Sequence, residues 1–492
     1  MYFRIFSQEG RHACLLLRKS SLFCFRVFPS CVYTDSCAAV TGSNRRPGIW
    51  LDQLYREYSK IPGIMWKPFI FLCATALCVL SASIDQYQPE QVHLSYTGPE
   101  ASMTVTWTTF CWTPSVVEFS PLTGPPTFNL TAYGETTIFE DGGPMKRKMF
   151  IHRVTLKNLI PDQRYVYHCG SSLGWSPQFY FRALRNDPSW GPRLAVFGDM
   201  GNENAQSLSR LQKETQMEMY DAILHVGDFA YDMDKDNARV GDEFMRQIES
   251  VAAYLPYMTC PGNHEEAYNF SNYRMRFSMP GNAEGLWYSW DLGPAHIISF
   301  STEVYFYLKY GKELVAEQFK WLQMDLQEAT SKARHSERPW IITMAHRPMY
   351  CTNFNSDDCV KVNGTTRTGL PGGQYALEEL FYKYGVDLEI WAHEHSYERL
   401  WPVYNRVVYN GSTDAPYTNP RAPVHITTGS AGCNENLDPF FPLHREWSAV
   451  RIEDYGYTRI HIANKTHIHI QQVSDDKNGE IMDDLWLIKD KR

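Results

Sequence analysis

The sequence predicts a small all-β domain of immunoglobulin or fibronectin type, followed by a larger α/β domain. Three observations lead to this prediction. The chain has 492 residues, more than one hydrophobic core usually serves. Residues 85–183 alternate apolar and polar side chains with a period of two, whereas from Arg193 short apolar runs alternate with segments of helical period. Hydrophobic residues make up 43% of the chain and aromatic residues 14%, which is enough for packed cores.

The stretch 65–83 has the pattern of a secretory signal peptide. Met65 and Lys67 form a short basic start, which is followed by the apolar run Phe69–Leu80 and then by small residues at 81–83. The apolar run is shorter than the roughly 20 residues that cross a bilayer, so no transmembrane anchor is expected. Because this peptide is internal, we interpret residues 1–64 as an upstream extension of doubtful status. The alternative is a genuine extension with an internal anchor.

Charge is distributed unevenly along the chain. The formal net charge is −8, yet residues 1–64 carry nine Lys/Arg against four Asp/Glu. Residues 85–492 carry 37 Lys/Arg against 51 Asp/Glu. An acidic body lacks the basic surface that nucleic-acid binding requires, so a nucleic-acid partner is not expected.

Glycosylation sequons and cysteines are consistent with secretion into an oxidising compartment. Six cysteines follow the signal peptide, and we expect Cys351 and Cys359, eight positions apart, to form one disulfide. The other pairings stay open. The candidate glycosylation sites are Asn129, Asn269, Asn363, Asn410 and Asn464.

The all-β domain is predicted over residues 85–183. Gln91–Tyr96 and Met103–Thr108 alternate as half-buried strands do. The stretch Leu159–Tyr167 places a proline turn before alternating tyrosines, a pattern similar to the corner of an immunoglobulin-like sandwich.

The α/β domain is predicted over residues 190–485. Its apolar runs each lead directly into a polar residue, and sites in β-α-β folds gather at the carboxyl ends of such strands. Two segments of helical period, Ser207–Tyr220 and Val315–Ala329, separate some of these runs, and the tail from Tyr455 is predicted to add edge strands. The predicted strands are Leu194–Phe197, Ala222–Val226, Tyr257–Cys260, Trp340–Ala345 and Val386–Trp391.

The polar residues at these strand ends form a set of candidate metal ligands. Carboxylate, imidazole and amide ligands suit iron, manganese or zinc. Seven ligands exceed one tetrahedral site but serve two octahedral ions about 3.5–4 Å apart when one carboxylate bridges them. The candidates are Asp199, Asp228, Tyr231, Asn263, His346, His393 and His395.

Each of these patterns also has an ordinary structural interpretation. A single Gly-Asp pair is a common turn, and His-x-His can be two residues on one face of a strand. We interpret His461, His467 and His469 in that structural way, because no carboxylate motif lies near them in the sequence.

The strand-end motifs resemble those of the purple acid phosphatases in order and spacing. The similarity is strong over residues 193–400. It rests on Gly198-Asp199-Met200-Gly201, Gly227-Asp228-Phe229-Ala230-Tyr231, Gly262-Asn263-His264-Glu265, His346 and Ala392-His393-Glu394-His395. The resemblance implies a metallophosphoesterase sandwich of two mixed sheets flanked by helices, behind the β-sandwich of the large two-domain members.

The resemblance also implies a role for each candidate ligand. Asp199, Asp228, Tyr231 and His395 would hold Fe(III). Asp228 would bridge to a divalent ion held by Asn263, His346 and His393, with zinc favoured and iron or manganese as alternatives. His264 would be catalytic, contacting the phosphate or the nucleophile. The implied activity is that of a secreted acid phosphatase, in which metal-bound hydroxide attacks a phosphomonoester.

Two departures from the family pattern bear on this hypothesis. Ala392 stands where the family usually has glycine, and the ligands are expected to tolerate its methyl group. Residues 347–363 contain no histidine, although many relatives place one there to contact substrate. A phosphodiesterase or nucleotidase with two divalent ions, and a catalytically weak secreted binding protein, are the alternatives. The physiological substrate and the oligomeric state stay open.

Overall fold

The computed structural model describes residues 5–8, 12–17, 21–26, 85–98, 101–185 and 187–490. The predicted signal peptide, residues 65–83, lies outside the described residues. Within those ranges no helix has the length and apolarity to cross a bilayer. The chain divides into two compact units, residues 1–72 and 73–492. In the first unit, β1 (Ile5–Gln8), β2 (His12–Leu17) and β3 (Ser21–Arg26) pair as an antiparallel sheet, where sequence analysis had assigned no element.

The second unit begins with a β-sandwich. One sheet has the strand order β4-β5-β9-β8, and the other has the order β11-β10-β6-β7, with β12 paired to β10. Its strands are β4 (Glu90–Ser95), β5 (Met103–Thr109), β6 (Val116–Pro121), β7 (Leu130–Tyr133), β8 (Glu135–Glu140), β9 (Lys148–Leu156), β10 (Arg164–Ser171), β11 (Gly174–Trp175) and β12 (Phe179–Arg182).

The predicted corner of this sandwich is present. The hydroxyl of Tyr165 accepts a hydrogen bond from the backbone N–H of Ile160 at 3.0 Å, which ties the turn to the strand that follows it. This is the arrangement of a tyrosine corner in immunoglobulin-like sandwiches. Trp107 and Tyr167 are fully buried between the two sheets.

The larger domain contains two mixed sheets. The first has the order β15-β14-β13-β25-β26-β27, with β13, β14 and β15 parallel. The second has the order β16-β17-β18-β19-β23-β20-β24, with β17, β18, β19 and β23 parallel. The fold class predicted from the sequence is confirmed.

The strands of this domain include every predicted one, within a residue or two at each end. They are β13 (Arg193–Phe197), β14 (Ala222–Val226), β15 (Tyr257–Cys260), β16 (Tyr288–Leu292), β17 (Ala295–Ser299), β18 (Trp340–Met344), β19 (Leu388–Trp391), β20 (Tyr397–Leu400), β21 (Val403–Tyr404), β22 (Val407–Val408), β23 (Val424–Thr428), β24 (Ser448–Ile452), β25 (Gly456–Asn464), β26 (His467–Ser474) and β27 (Glu480–Ile488). The tail extends the first sheet from β13, so β27 forms its edge and β25 and β26 lie inside it.

Helices pack beside these sheets. They are α1 (Leu208–Gln216), α2 (Lys235–Ala252), α3 (Ala267–Arg276), α4 (Glu313–Ala329), α5 (Lys332–Glu337), α6 (Thr365–Thr368) and α7 (Leu377–Tyr384). The prediction of a helix up to Tyr220 was too long. Glu218 has φ +55°, and the backbone N–H groups of Glu218 and Met219 bond back to the carbonyls of Thr215 and Glu214. That pair of bonds is a Schellman motif, which ends α1 and turns the chain into β14.

The carboxyl ends of the parallel strands from both sheets meet at one edge of the domain. β13, β14, β15, β18 and β19 consist entirely of buried residues apart from the first residue of β13, as expected for strands covered on both faces. The polar side chains that follow these strands in the sequence therefore lie together at that edge.

Candidate metal centre

Four of the predicted ligands form one half of a buried polar cluster, around the imidazole of His346. The Nε2 atom of His346 lies 3.1 Å from Asp228 Oδ2 and 3.1 Å from Asn263 Oδ1. The Nδ1 atom of His393 lies 3.2 Å from the same nitrogen. Asp228, His346 and His393 present ligand atoms within 4.8 Å of one another.

The other predicted ligands form the second half of the cluster. The Tyr231 hydroxyl lies 2.9 Å from His395 Nε2 and 3.3 Å from Asp199 Oδ1. Asp199 Oδ1 also lies 3.5 Å from His395 Nε2 and 4.0 Å from His346 Nε2, which joins the two halves. All seven predicted ligands therefore converge on one site.

Each imidazole is oriented by a partner outside the cluster. Nδ1 of His346 lies 2.8 Å from the Val226 carbonyl oxygen, and Nδ1 of His395 lies 2.9 Å from the Asn436 carbonyl oxygen. Nε2 of His393 lies 2.5 Å from Asp357 Oδ2. When one ring nitrogen donates to an outer acceptor, the other nitrogen keeps its lone pair toward the centre, as metal-binding histidines require.

The backbone at several of these residues is in the left-handed region. The φ angles are +57° at Asp199, +51° at Asp228, +51° at Tyr231 and +71° at His393. Non-glycine residues adopt such angles at a cost, and they cluster at functional sites where the surroundings impose them.

Glu265 supplies part of that constraint. Its buried carboxylate accepts hydrogen bonds from the backbone N–H groups of Asp228, Phe229 and Gly262, at 2.9, 3.0 and 2.9 Å. Glycine is required at 262 because a Cβ there would lie 2.1 Å from Asp228 Oδ1. Glu265 therefore fixes the turns that carry Asp228 and Asn263 against each other.

Ala392 is accommodated by a glycine opposite it. A Cβ on Gly198 would lie 2.4 Å from the Ala392 methyl carbon, so the methyl group occupies space that only glycine at 198 leaves open. The departure at 392 therefore does not displace the neighbouring His393, whose backbone N–H donates to Asp199 Oδ2 at 2.9 Å.

The electrostatics of the cluster favour bound cations. Burial alone would raise the pKa of Asp228, but the neighbouring imidazoles, His346 first, lower it well below its usual range. Burial alone would lower the pKa of His346, yet the carboxylates of Asp228 and Asp199 raise it to about 10. Asp199, Asp228 and His346 are at most 1% exposed. The buried carboxylates therefore draw positive charge to the cluster, which the imidazoles supply as protons and which metal ions would supply in their place.

His264 lies beside the cluster and lines its cavity. Its backbone N–H donates to Asp228 Oδ1 at 2.9 Å, and its Nδ1 lies 2.6 Å from Asp232 Oδ1. The pKa of His264 is raised to about 9, because the hydrogen bond to Asp232 and the charge of Asp228 outweigh the effect of burial. The Nε2 atom is 3.9 Å from Asp228 Oδ2, within reach of a group bound in the cavity.

Sequence reasoning missed most of the opposite side of this cavity of about 200 Å³. We call this side the loop wall and define it as Asn355, Asp357, Glu435 and Asp438. Asn355 and Asp357 lie in the histidine-free segment 347–363, for which the sequence analysis predicted no site residue. Glu435 and Asp438 lie between β23 and β24, outside every motif found in the sequence. No signal in the sequence marks them as site residues.

The loop carrying Asn355 and Asp357 is closed by the predicted disulfide. Cys351 and Cys359 are bonded, which confirms that prediction. Buried Glu394 lies between the loop and the ligand turn, accepting a hydrogen bond from Asn355 Nδ2 at 2.7 Å. The segment 351–359 is therefore held by the disulfide at its ends and by Glu394 at Asn355.

Residues predicted to be structural lie away from the site. His461 is in β25, and His467 and His469 are in β26, where His469 Nε2 contacts Asp484 Oδ1 at 2.8 Å. Among the sequons, Asn129, Asn363 and Asn464 are exposed, whereas Asn269 and Asn410 are half-buried.

Family models match nearly all of the second unit. Residues 89–183 match the purple acid phosphatase N-terminal domain. Residues 192–397 match the calcineurin-like phosphoesterase family, and residues 422–484 match the iron/zinc purple acid phosphatase-like protein C domain.

Individual relatives agree with these matches. The chain is 62% identical to acid phosphatase type 7 of Homo sapiens over 430 residues, which cover 87% of this chain and 97% of that one. It is 30% identical to the Fe(3+)-Zn(2+) purple acid phosphatase 12 of Arabidopsis thaliana over 360 residues, 69% of this chain and 72% of that one. Among solved structures, a purple acid phosphatase from yellow lupin (Lupinus luteus) seeds superposes with a TM-score of 0.67 at 23% identity, covering 82% of this chain and 75% of that one.

Proposed function

The chain belongs to the purple acid phosphatase family and is a phosphatase, and from that premise we propose that it hydrolyses phosphomonoesters at a centre of one ferric and one divalent ion. Zinc is the proposed divalent ion, in keeping with the Fe(3+)-Zn(2+) relative, and iron or manganese are the alternatives.

One observation carries the ferric assignment. The Tyr231 hydroxyl lies against Asp199 and His395, at 3.3 and 2.9 Å, so an ion held by these two residues would also meet the phenol oxygen. A buried tyrosine without a strong Lewis acid would stay a neutral phenol. A phenol beside a carboxylate and an imidazole supports Fe(III), since a hard trivalent ion stabilises the phenolate.

The proposed ligand division takes its two groups from the two halves of the cluster, and it takes the shared role of Asp228 from the family resemblance. Asp199, Tyr231 and His395 would hold the ferric ion, and Asn263, His346 and His393 the divalent ion, with Asp228 shared. When bound, the two ions supply Lewis-acid charge to the phosphate oxygens and make water nucleophilic below neutral pH.

The chain's own groups position the substrate. His264 is held by Asp232, so its Nε2 atom faces the cavity as a donor to a phosphate oxygen. The loop wall carries an amide and three carboxylates but no imidazole, so the departing oxygen has no obvious proton donor there. We therefore propose that phosphate esters with good leaving groups, such as aryl phosphates, are hydrolysed much faster than alkyl phosphates.

We also propose that the protein is secreted and glycosylated, with a mature chain beginning near residue 84 or 85 and composed of the β-sandwich over 85–183 and the catalytic domain over 190–485. Exposure of Asn129, Asn363 and Asn464 supports glycan attachment at these three sequons first. N-terminal sequencing and glycopeptide mapping of secreted protein test this. Residues 1–64 on the mature chain, or unoccupied exposed sequons, would contradict it.

Metal analysis combined with a visible spectrum tests the function. We expect one iron and one divalent ion per chain, a visible charge-transfer band, and hydrolysis of aryl phosphomonoesters in acid. Two divalent ions without a band, together with preferred hydrolysis of phosphodiesters, would replace this proposal with a divalent phosphodiesterase. Fully loaded metal without any hydrolysis would instead indicate a binding protein.

A further inference from the structure

A second cavity, of about 330 Å³, lies at the opposite edge of the first sheet from the candidate metal centre. Arg193, Asp221 and Pro256 line it, and each stands at or just before the start of β13, β14 or β15. The β-sandwich closes the other side of the cavity through β12 and Tyr96. Its volume falls in the range of roughly 300–1,000 Å³ typical of small-molecule sites, which often occur between domains.

The charged groups around this cavity leave one guanidinium group unpaired. Arg164 pairs with Glu218, while Arg182 and Arg185 share Asp162 at 2.9 and 2.7 Å. The Asp221 carboxylate accepts the backbone N–H of Arg193 at 2.8 Å. In the described part of the chain, no carboxylate forms an ion pair with the guanidinium group of Arg193, which is exposed at the cavity.

Two buried hydroxyl groups at the cavity also lack partners. Thr215 is 4% exposed, and its Oγ1 atom has no hydrogen bond within the described residues. Tyr96 is likewise 4% exposed, and its hydroxyl bonds to no described group. Burial, and secondarily the charge of Asp221, raise the pKa of Tyr96, so this hydroxyl keeps its proton and remains a donor. The Thr215 oxygen is closed off from the cavity as well as from solvent, so of these two hydroxyl groups only that of Tyr96 can donate to a group bound there.

Part of the lining is aromatic. Tyr180 and Tyr254 pack edge to face with ring centroids 5.0 Å apart, and Trp190 stands beside the guanidinium group of Arg185. Flat apolar surfaces of this kind accommodate a ring more readily than a flexible chain.

We propose that this cavity binds a small organic anion with a planar apolar body, whose charged group lies against Arg193 and accepts a hydrogen bond from Tyr96. Trp190, Tyr180 and Tyr254 would contact the apolar body. The site is separate from the phosphatase centre, because β13 runs from Arg193 to Phe197 before the chain reaches Asp199, a span of roughly 20 Å at about 3.3 Å per residue.

Binding of naphthalene-2-sulfonate to the metal-loaded enzyme tests the proposal. A sulfonate is a weak metal ligand, so the probe avoids the candidate metal centre. We expect saturable binding by calorimetry that inorganic phosphate does not displace, and much weaker binding of the uncharged naphthalene-2-sulfonamide. Arg193→Gln should weaken sulfonate binding about tenfold or more, as loss of a charge-assisted hydrogen bond does. The matched control Arg421→Gln, at another exposed arginine, should leave it unchanged.

Tyr96→Phe separates a ligand contact from a structural role. Because the hydroxyl bonds to no group in the described part of the chain, its removal should not lower the melting temperature, yet it should weaken sulfonate binding about fivefold. The proposal is overturned if the sulfonate does not bind, if phosphate displaces it, or if Arg193→Gln and Tyr96→Phe both leave its affinity unchanged.

Discussion

The two sides of the cavity at the candidate metal centre are built in different ways. The ligand side comes from the carboxyl ends of β13, β14, β15, β18 and β19, and five of its seven candidate ligands are buried. The loop wall comes from the disulfide-closed segment 351–359 and from residues 434–438, and Glu435 on it is half exposed. The strand ends fix the position of the ligand side. Much of the loop wall is instead held by its side-chain contacts to the ligand side.

This difference assigns separate tasks to the two sides. A metal site needs ligand atoms placed within a few tenths of an ångström, which strands anchored in a packed core can provide. Substrate selection needs groups that can change without disturbing the core, and loops tolerate such changes. We therefore expect substitutions on the ligand side to act on metal content and those on the loop wall to act mainly on substrate choice.

Asp228→Ala should have the largest effect. In the proposed ligand division it removes the carboxylate that both ions share, which would leave two cations facing each other with less compensating charge. Metal content should fall. Activity should decrease much more than the roughly 10- to 100-fold seen when a metal ligand loses its outer hydrogen-bond partner. Metal analysis and a phosphomonoester assay measure this.

Glu435→Gln is the control for that experiment, since it removes a carboxylate from the loop wall of the same cavity. It should retain both metals. If Asp228→Ala also kept two metals and substantial activity, Asp228 would not be the bridge.

Asp357→Asn tests the residue where the two sides meet. Asp357 belongs to the loop wall but orients the His393 imidazole through Nε2, and Arg347 lies 3.5 Å from its other oxygen. Loss of the charge should weaken binding of the divalent ion by about 10- to 100-fold. Loss of other outer hydrogen-bond partners of metal-binding histidines has an effect of this size. The visible band should persist, because Tyr231 is on the other half-site.

Titration of the apo-enzyme with zinc measures the affinity. Glu435→Gln, which leaves His393 untouched, should bind zinc as the wild type does. Equal zinc affinity in Asp357→Asn and the wild type would mean that the loop wall has no part in holding the metal.

Tyr231→Phe should change colour more than rate. The ring is retained, so the fold should persist, but the phenolate that gives the charge-transfer band is gone. Activity should fall only several-fold, since the shared Asp228 and the divalent half-site remain. Asn263→Ala is the complementary variant. It should weaken binding of the divalent ion and keep the visible band. A visible band that survives Tyr231→Phe would remove the ferric assignment.

The same contrast explains how far the sequence could be interpreted. Buried strands leave apolar runs of four or five residues, and the residues after them are ligand candidates because parallel strands share an edge. That reasoning predicted the confirmed fold and placed Asp199, Asp228 and His346 at one edge. The contacts of Asp357, Glu435 and Asp438 could not be predicted, because they depend on how loops distant in sequence fold back on the strand ends. The end of α1 was misplaced for a related reason, since its stop signal is a glutamate with positive φ instead of a glycine.

Asn355→His should have the smallest effect, and it would place an imidazole on the loop wall. Asn355 lines the cavity and already bonds to Glu394, so a ring at this position would face the substrate. A well-placed general acid contributes about 10²- to 10⁴-fold, and a newly introduced one should recover a small part of that. We expect kcat/KM for alkyl phosphates to rise about two- to tenfold while aryl phosphates are unaffected, since their leaving groups need no proton. The acid must be protonated, so the gain should be present below about pH 6.5 and disappear above it.

Ser356→His, at the exposed neighbouring position, is the matched control and should show no gain. An equal gain for both substrate classes would mean that the new imidazole improves binding and does not act as an acid.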